Sequence, residues 1–189
     1  MMGNDEYSDD QALGYLQEYA KLFNLDKKSG IELPESEPQV TDSYAIPSAI
    51  GQGTNNFATV QLARYAAALA NGGTSFRLSL IDKIDGAEHE PEIESTAELS
   101  SGVWDAVHTG MEWYIQSTGI FEGCPVSAAG KSGTAQVVRT RPDHGLFIGY
   151  APADNPEIAV AVRITNGYDA APAVECGREI FETYFRGSN

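Results

Sequence analysis

Gly130-Lys131-Ser132-Gly133-Thr134 places a lysine, two hydroxyls and two glycines in five consecutive residues. Two chemistries use such a cluster. A phosphate-binding loop ends in Gly-Lys-Ser, but it needs a glycine five positions before the last glycine and a helix after it. Here that position is Pro125, and Ala135-Gln136-Val137-Val138 reads as strand. Spacing and context exclude the nucleotide chemistry. The alternative is a Lys-Ser/Thr-Gly strand lining an acyl-transfer site. There the lysine supplies positive potential, the hydroxyls hold a carboxylate, and the glycine lets a substrate backbone approach closely.

The other chemistry-bearing residues are dispersed. His89, His108 and His144 lie on different elements, and none is assigned catalysis; His108 reads as helix packing and His144 as a turn or strand-edge residue. Cys124 and Cys176 form no Cys-x-x-Cys pair and have no histidine cluster nearby, so no metal or other cofactor is expected and both read as structural thiols. Trp104 and Trp113, nine residues apart on one helix, read as core or rim. Gly51-Gln52-Gly53 lacks the third glycine and preceding strand of a phosphate cradle, so Gln52 is expected to brace a loop.

The elements that must position these residues alternate without an internal repeat. Ser8 caps a helix with Leu13, Leu16, Ala20 and Phe23 on one face, closed by Asn24. Gly30, Pro34, Pro38 and Pro47 punctuate an irregular stretch. The alanine-rich stretch 56–70 is the strongest helix, ended by Asn71-Gly72-Gly73. Residues 76–81 are strand-like and 85–98 form a polar, acidic excursion. Ser100 and Ser101 cap a helix carrying Val103, Val107, Met111 and Tyr114, stopped at Gly119. Three strands are predicted at 135–138, 145–150 and Ile158–Ile164, antiparallel because their connections are short. Pro172 begins a last helix with Val174, Ile180, Phe181 and Tyr184 inward. The fold class is α+β: an antiparallel sheet covered by helices, in one domain over residues 1–189.

Composition bounds the partners. A chain of 189 residues with 42% hydrophobic content builds a real core. Its net charge of −15 excludes nucleic acid and anionic membrane surfaces as natural partners. No apolar run approaches the roughly 18 residues of a membrane span, and the N-terminus has neither the basic nor the apolar region of a leader. The chain reads as soluble.

Five blocks in order now carry a resemblance. They are Gly30-Ile31-Glu32-Leu33-Pro34, Ser48-Ala49-Ile50-Gly51-Gln52-Gly53, Gln61-Leu62-Ala63-Arg64 through Asn71-Gly72-Gly73, Gly130-Lys131-Ser132-Gly133-Thr134-Ala135-Gln136, and Phe147-Ile148-Gly149-Tyr150-Ala151-Pro152. Together they resemble the C-terminal part of the transpeptidase domain of class B penicillin-binding proteins, over nearly the whole chain. These are acyl-transfer enzymes that cross-link peptidoglycan and are acylated by β-lactams. The resemblance implies catalytic roles for Lys131 and Thr134, with the Thr134 N–H as an oxyanion donor. Ser132, Gly133 and Thr134 would bind substrate: a stem peptide ending in D-Ala-D-Ala, or a β-lactam. The departure is equally plain: no serine here has a lysine three residues on or an asparagine two residues on. The Ser-x-x-Lys nucleophile and the Ser-x-Asn motif are absent. The resemblance therefore implies a partial fold lacking its N-terminal strands, inactive alone, from an extracytoplasmic, membrane-anchored parent. A non-catalytic acidic binding module that keeps the fold is the alternative. The missing strands would leave Ile158–Ile164 with an open side, where a homodimer is expected.

Overall fold

The computed structural model describes residues 7–187. Residues 1–6, on which the expectation about a leader falls, and residues 188 and 189 lie outside them. Helix α1 spans Asp9–Leu22, with the Ser8 hydroxyl accepting the Gln11 N–H at 3.4 Å and Asn24 turning the chain at φ 55°. A short α2 (Ala45–Ala49) precedes α3 (Thr59–Ala70), whose first turn is closed by the Gln61 side chain accepting the Ala58 N–H at 2.7 Å. Then follow β1 (Thr74–Phe76), β2 (Lys83–Ile84), β3 (Ala87–Glu88) and β4 (Ile93–Thr96). Helix α4 (Ser101–Thr118) leads into β5 (Ala129–Ala135), β6 (His144–Ala151), β7 (Ile158–Ile164) and α5 (Ala171–Arg186). Among the described residues no helix is long and apolar enough to cross a membrane.

The main sheet is antiparallel in the order β5-β6-β7, with β1 paired to β4 and β2 to β3 in two small ribbons. Helices α3 and α4 cover one face of the main sheet and α5 the other, because strands β6 and β7 are apolar on both sides. One core lies under α5, where Phe147, Ala151 and Val160 meet Val174 and Phe181. The other joins Ala129 and Tyr150 to Ala68, Leu69, Met111 and Phe23. Each fully buried aromatic here contributes about 1.5–3 kcal/mol by leaving water. The Phe147 ring needs unusual room. A Cβ on Gly130 would stand 2.6 Å from it and one on Gly149 2.7 Å, and Gly177 of α5 presses on the same ring.

Several expectations are corrected. The first strand of the sheet is Ala129–Ala135, not 135–138; Val137 and Val138 are exposed beyond its end. The strand-like stretch at 76–81 contributes only Phe76 to β1, with the Arg77 N–H donating to the Glu92 carbonyl at 2.9 Å beyond it, and the acidic excursion contains β4, whose Ile93, Ser95 and Thr96 register with β1. Ile180 and Tyr184 of α5 point outward, while Val174 and Phe181 are buried as expected. Val103 is exposed, and so is Trp113 at 75%; Trp104 packs edge-on to Phe23.

Candidate functional site

Lys131, Ser132, Gly133 and Thr134 all lie within β5, an edge strand whose ladder partner is β6. The register sets Lys131 beside Ile148, Ser132 beside Phe147, Gly133 beside Leu146 and Thr134 beside Gly145. Side chains alternate between the faces of a strand. Lys131 and Gly133 therefore share the α3/α4 face with Ala129, and Ser132 and Thr134 share the α5 face with Gly130. The cluster that looked compact in the sequence is divided by the pleat. What the four residues have in common is the strand's outer edge.

Lys131 is exposed but held in place. Its Nζ lies 4.7 Å from the centroid of the Tyr114 ring on α4 and donates to the Ser132 carbonyl at 2.8 Å. A cation over a tyrosine face is worth about 0.5–1 kcal/mol at an exposed site, enough to bias the ammonium toward α4. Tyr114 read as an ordinary apolar-face residue in the sequence. Helical spacing carries no signal for a partner 17 residues away on a strand.

Thr134 is exposed, and its carbonyl accepts the Gln52 side-chain Nε2–H at 3.1 Å. In an extended strand the N–H and C=O of one residue leave on the same side. Because the Thr134 carbonyl faces outward to Gln52, its N–H also faces away from β6, at the open edge. Gly133 has no internal reason to be glycine: a Cβ there would meet only the Leu146 side chain, at 3.5 Å, an ordinary contact. Gly130 differs, since Phe147 already demands it.

The remaining candidates do not join this edge. His108 is packed between elements, its Nε2 2.8 Å from the Leu69 carbonyl and its ring against Trp104 and Tyr150. His144 opens the central strand, where its Nδ1 accepts the Asn166 N–H at 3.0 Å. Cys124 and Cys176 are unpaired thiols. Gln52 braces as expected, but its brace reaches the motif strand itself. Burial pushes the Tyr150 phenol up to about 12, with the Glu112 carboxylate adding to the shift; its hydroxyl is buried and has no hydrogen-bond partner among the described residues.

Residues 2–182 match the family described as the penicillin binding protein transpeptidase domain. Among curated relatives, penicillin-binding protein 2A of Bacillus subtilis strain 168 is 27% identical, over 97% of this chain and 31% of its own length. Peptidoglycan D,D-transpeptidase MrdA of Acinetobacter baumannii is 29% identical, over 88% of this chain and 30% of its own. Among solved structures, penicillin-binding protein A from M. tuberculosis as its imipenem acyl-enzyme complex superposes with a TM-score of 0.69 and 29% identity, covering 88% of this chain and 40% of that one. The chain thus spans about a third of the length of the curated relatives it matches.

Proposed function

The chain belongs to the penicillin-binding protein transpeptidase domain family, and from that premise we propose that it supplies the substrate edge of a D,D-transpeptidase that cross-links peptidoglycan. A stem peptide ending in D-Ala-D-Ala docks along β5 as an added strand. The outward N–H and C=O of Thr134 bond its backbone, Gly133 keeps the approach clear, and the Ser132 and Thr134 hydroxyls take its terminal carboxylate. Lys131 supplies the positive potential that draws this anion in and steadies the reacting centre. The observation that carries the proposal is the edge itself: Thr134 turns its main chain outward, beside a glycine that nothing inside the chain requires.

The acyl-transfer nucleophile is not in this chain, since no Ser-x-x-Lys occurs in it. The covalent step, attack of a serine Oγ on the penultimate D-Ala carbonyl with loss of the terminal D-Ala, belongs to the remainder of the parent domain. That parent is proposed to be extracytoplasmic, membrane-anchored and acylated by β-lactams. A second copy of the chain is proposed as partner at the outer edge of β7.

Two measurements test this. Diacetyl-L-Lys-D-Ala-D-Ala added to the isotope-labelled chain is expected to shift the amide signals of residues 130–135, and the all-L isomer to leave them unmoved. Fluorescent penicillin followed by denaturing electrophoresis is expected to leave the 20.3 kDa band unlabelled. Equal response to both peptide isomers, or a stable labelled band, overturns the assignment of roles.

A further inference from the structure

We propose that the Gln52 amide is a built-in competitor for the docking edge of β5, occupying the acceptor that an incoming peptide needs. Resting on the docking function proposed above, Gln52 becomes an affinity-setting side chain that a guest must displace before it can pair with the full edge.

The loop that carries Gln52 is fixed at its backbone and free at its tip. Its N–H donates to the Pro47 carbonyl at 3.0 Å, and its own carbonyl accepts from the Asn55 side chain at 3.3 Å. Gly53 follows at φ 77°, and a Cβ there would collide with the Ser48 hydroxyl, so the loop closes tightly on that serine. Ser48 is bonded in turn to Thr41 at 2.6 Å, and Asn55 accepts the Thr41 N–H at 2.9 Å. The backbone on either side of Gln52 is thus held by hydrogen bonds within the loop, and its side chain by the bond to Thr134. From this anchored base the amide crosses to Thr134, 82 residues away in sequence, and donates on the outer side of β5.

An antiparallel guest strand needs that same position. Its N–H would approach the Thr134 carbonyl in the plane of the sheet, from the side where the Gln52 Nε2 now sits. A side-chain amide in a solvent-exposed bond is a weak competitor and can leave. Releasing one hydrogen bond of this kind changes an equilibrium by about 2- to 10-fold. A brace alone makes the opposite prediction: removing it would loosen the edge and weaken docking. The sign of the effect separates the two roles.

The experiment titrates the labelled chain with diacetyl-L-Lys-D-Ala-D-Ala, comparing wild type with Gln52→Ala and Gln52→Met. The methionine variant keeps the side-chain length and removes the donor. Both variants are expected to bind about 2- to 10-fold more tightly with an unchanged thermal midpoint. In the wild type the Gln52 side-chain amide signals are expected to move to free-solvent positions as the peptide saturates. Equal or weaker binding by both variants, with the wild-type Gln52 signals unmoved by bound peptide, overturns the competitor role and leaves the docking edge standing. Absence of peptide binding in all three proteins overturns the docking edge, and the competitor with it.

Discussion

Two side chains at the residue scale yield opposite expectations on mutation. Lys131 is exposed and leans on Tyr114, so Lys131→Ala is expected to lower stability by less than about 1 kcal/mol. Its positive potential matters more to an incoming carboxylate than to the fold, so the same change is expected to weaken diacetyl-L-Lys-D-Ala-D-Ala binding about fivefold, the worth of one near charge in water. Denaturant titration and peptide titration on one preparation check both, and an unchanged affinity demotes the lysine to a bystander. Tyr150 is the reverse case, invisible to the peptide and important to the fold. Its hydroxyl is buried without a partner among the described residues, which ordinarily costs about 1–3 kcal/mol. Tyr150→Phe is therefore expected to stabilise by about 1 kcal/mol, and a clear loss in a melting experiment would contradict the orphaned hydroxyl. The pH dependence follows with its sign. An unfolded tyrosine ionises near 10, while the folded Tyr150 keeps its proton to about 12. Between these values the unfolded state releases a proton that the folded state retains, so stability present below pH 10 is lost as pH rises. Tyr150→Phe is expected to flatten that decline.

The helices were legible in the sequence and the site strand was displaced, for one physical reason at the scale of elements. Helices α1, α3 and α4 announce themselves through local signals: the Ser8 cap, the alanine run, and the glycines at 72 and 119 that accept φ of 75° and 69°. Strand β7 alternates β-branched Ile158, Val160, Val162 and Ile164 with Ala159, Ala161 and Arg163, and its observed bounds are those expected. Strand β5 has no such signal. Gly130, Lys131 and Gly133 are poor strand formers, so propensity favours Val137 and Val138, which the structure leaves exposed. Pairing with β6 and the seat for the Phe147 ring impose the strand instead, a tertiary effect that outweighs propensity. The motif's residue types were readable, whereas its division between two faces and its contacts with Gln52 and Tyr114 required the fold. Arg64 was equally hidden. It is 1% exposed on α3 and donates to the carbonyls of Asn24, Lys27 and Lys28 and to Glu94 at 2.8 Å. Burial lowers its pKa while Glu94 opposes the shift, so the charge is retained by partners, not by water. Removing a buried charge partner costs about 3–5 kcal/mol, and Arg64→Ala is expected to lose that much in urea unfolding. Glu94→Gln should lose less, because the three carbonyls remain. A loss below about 1 kcal/mol in Arg64→Ala would show that the α3 clamp is dispensable.

For the whole molecule, the proposed assembly rests on the outer side of β7, which pairs with no strand among the described residues. Since Thr134 faces outward on β5, the alternation carried through β6 leaves Ala159, Ala161 and Arg163 with their main-chain groups pointing away from the sheet. The edge is flanked by an apolar groove containing Ile158, Cys176 and Ile180, a combination that soluble proteins rarely leave uncovered. In the proposed dimer a two-fold axis through Ala161 would pair this edge with that of a second copy. Ala161 then faces its own counterpart, Val160 meets Val162, and Ile158 meets Ile164, giving β-branched cross-strand pairs on the α5 face. On the other face Arg163 lies diagonal to Glu157 of the second copy, within reach of long side chains. Both are exposed in this chain. Two reciprocal ion pairs would thus offset part of the repulsion between copies of charge −15, which salt screens beyond about 8 Å. Ala161→Pro is the discriminating variant. Its missing N–H would have faced outward, so the bonds to β6 survive while the centre of the dimer edge is lost. Light scattering across a concentration series is expected to show wild type passing from monomer to dimer and Ala161→Pro remaining monomeric with an intact circular dichroism spectrum. Arg163→Glu, which sets two carboxylates together, is expected to shift the midpoint to higher concentration. A wild type that stays monomeric throughout, or an Ala161→Pro variant that still dimerises, would place the covering of β7 elsewhere and remove the two-fold edge from the description of this chain.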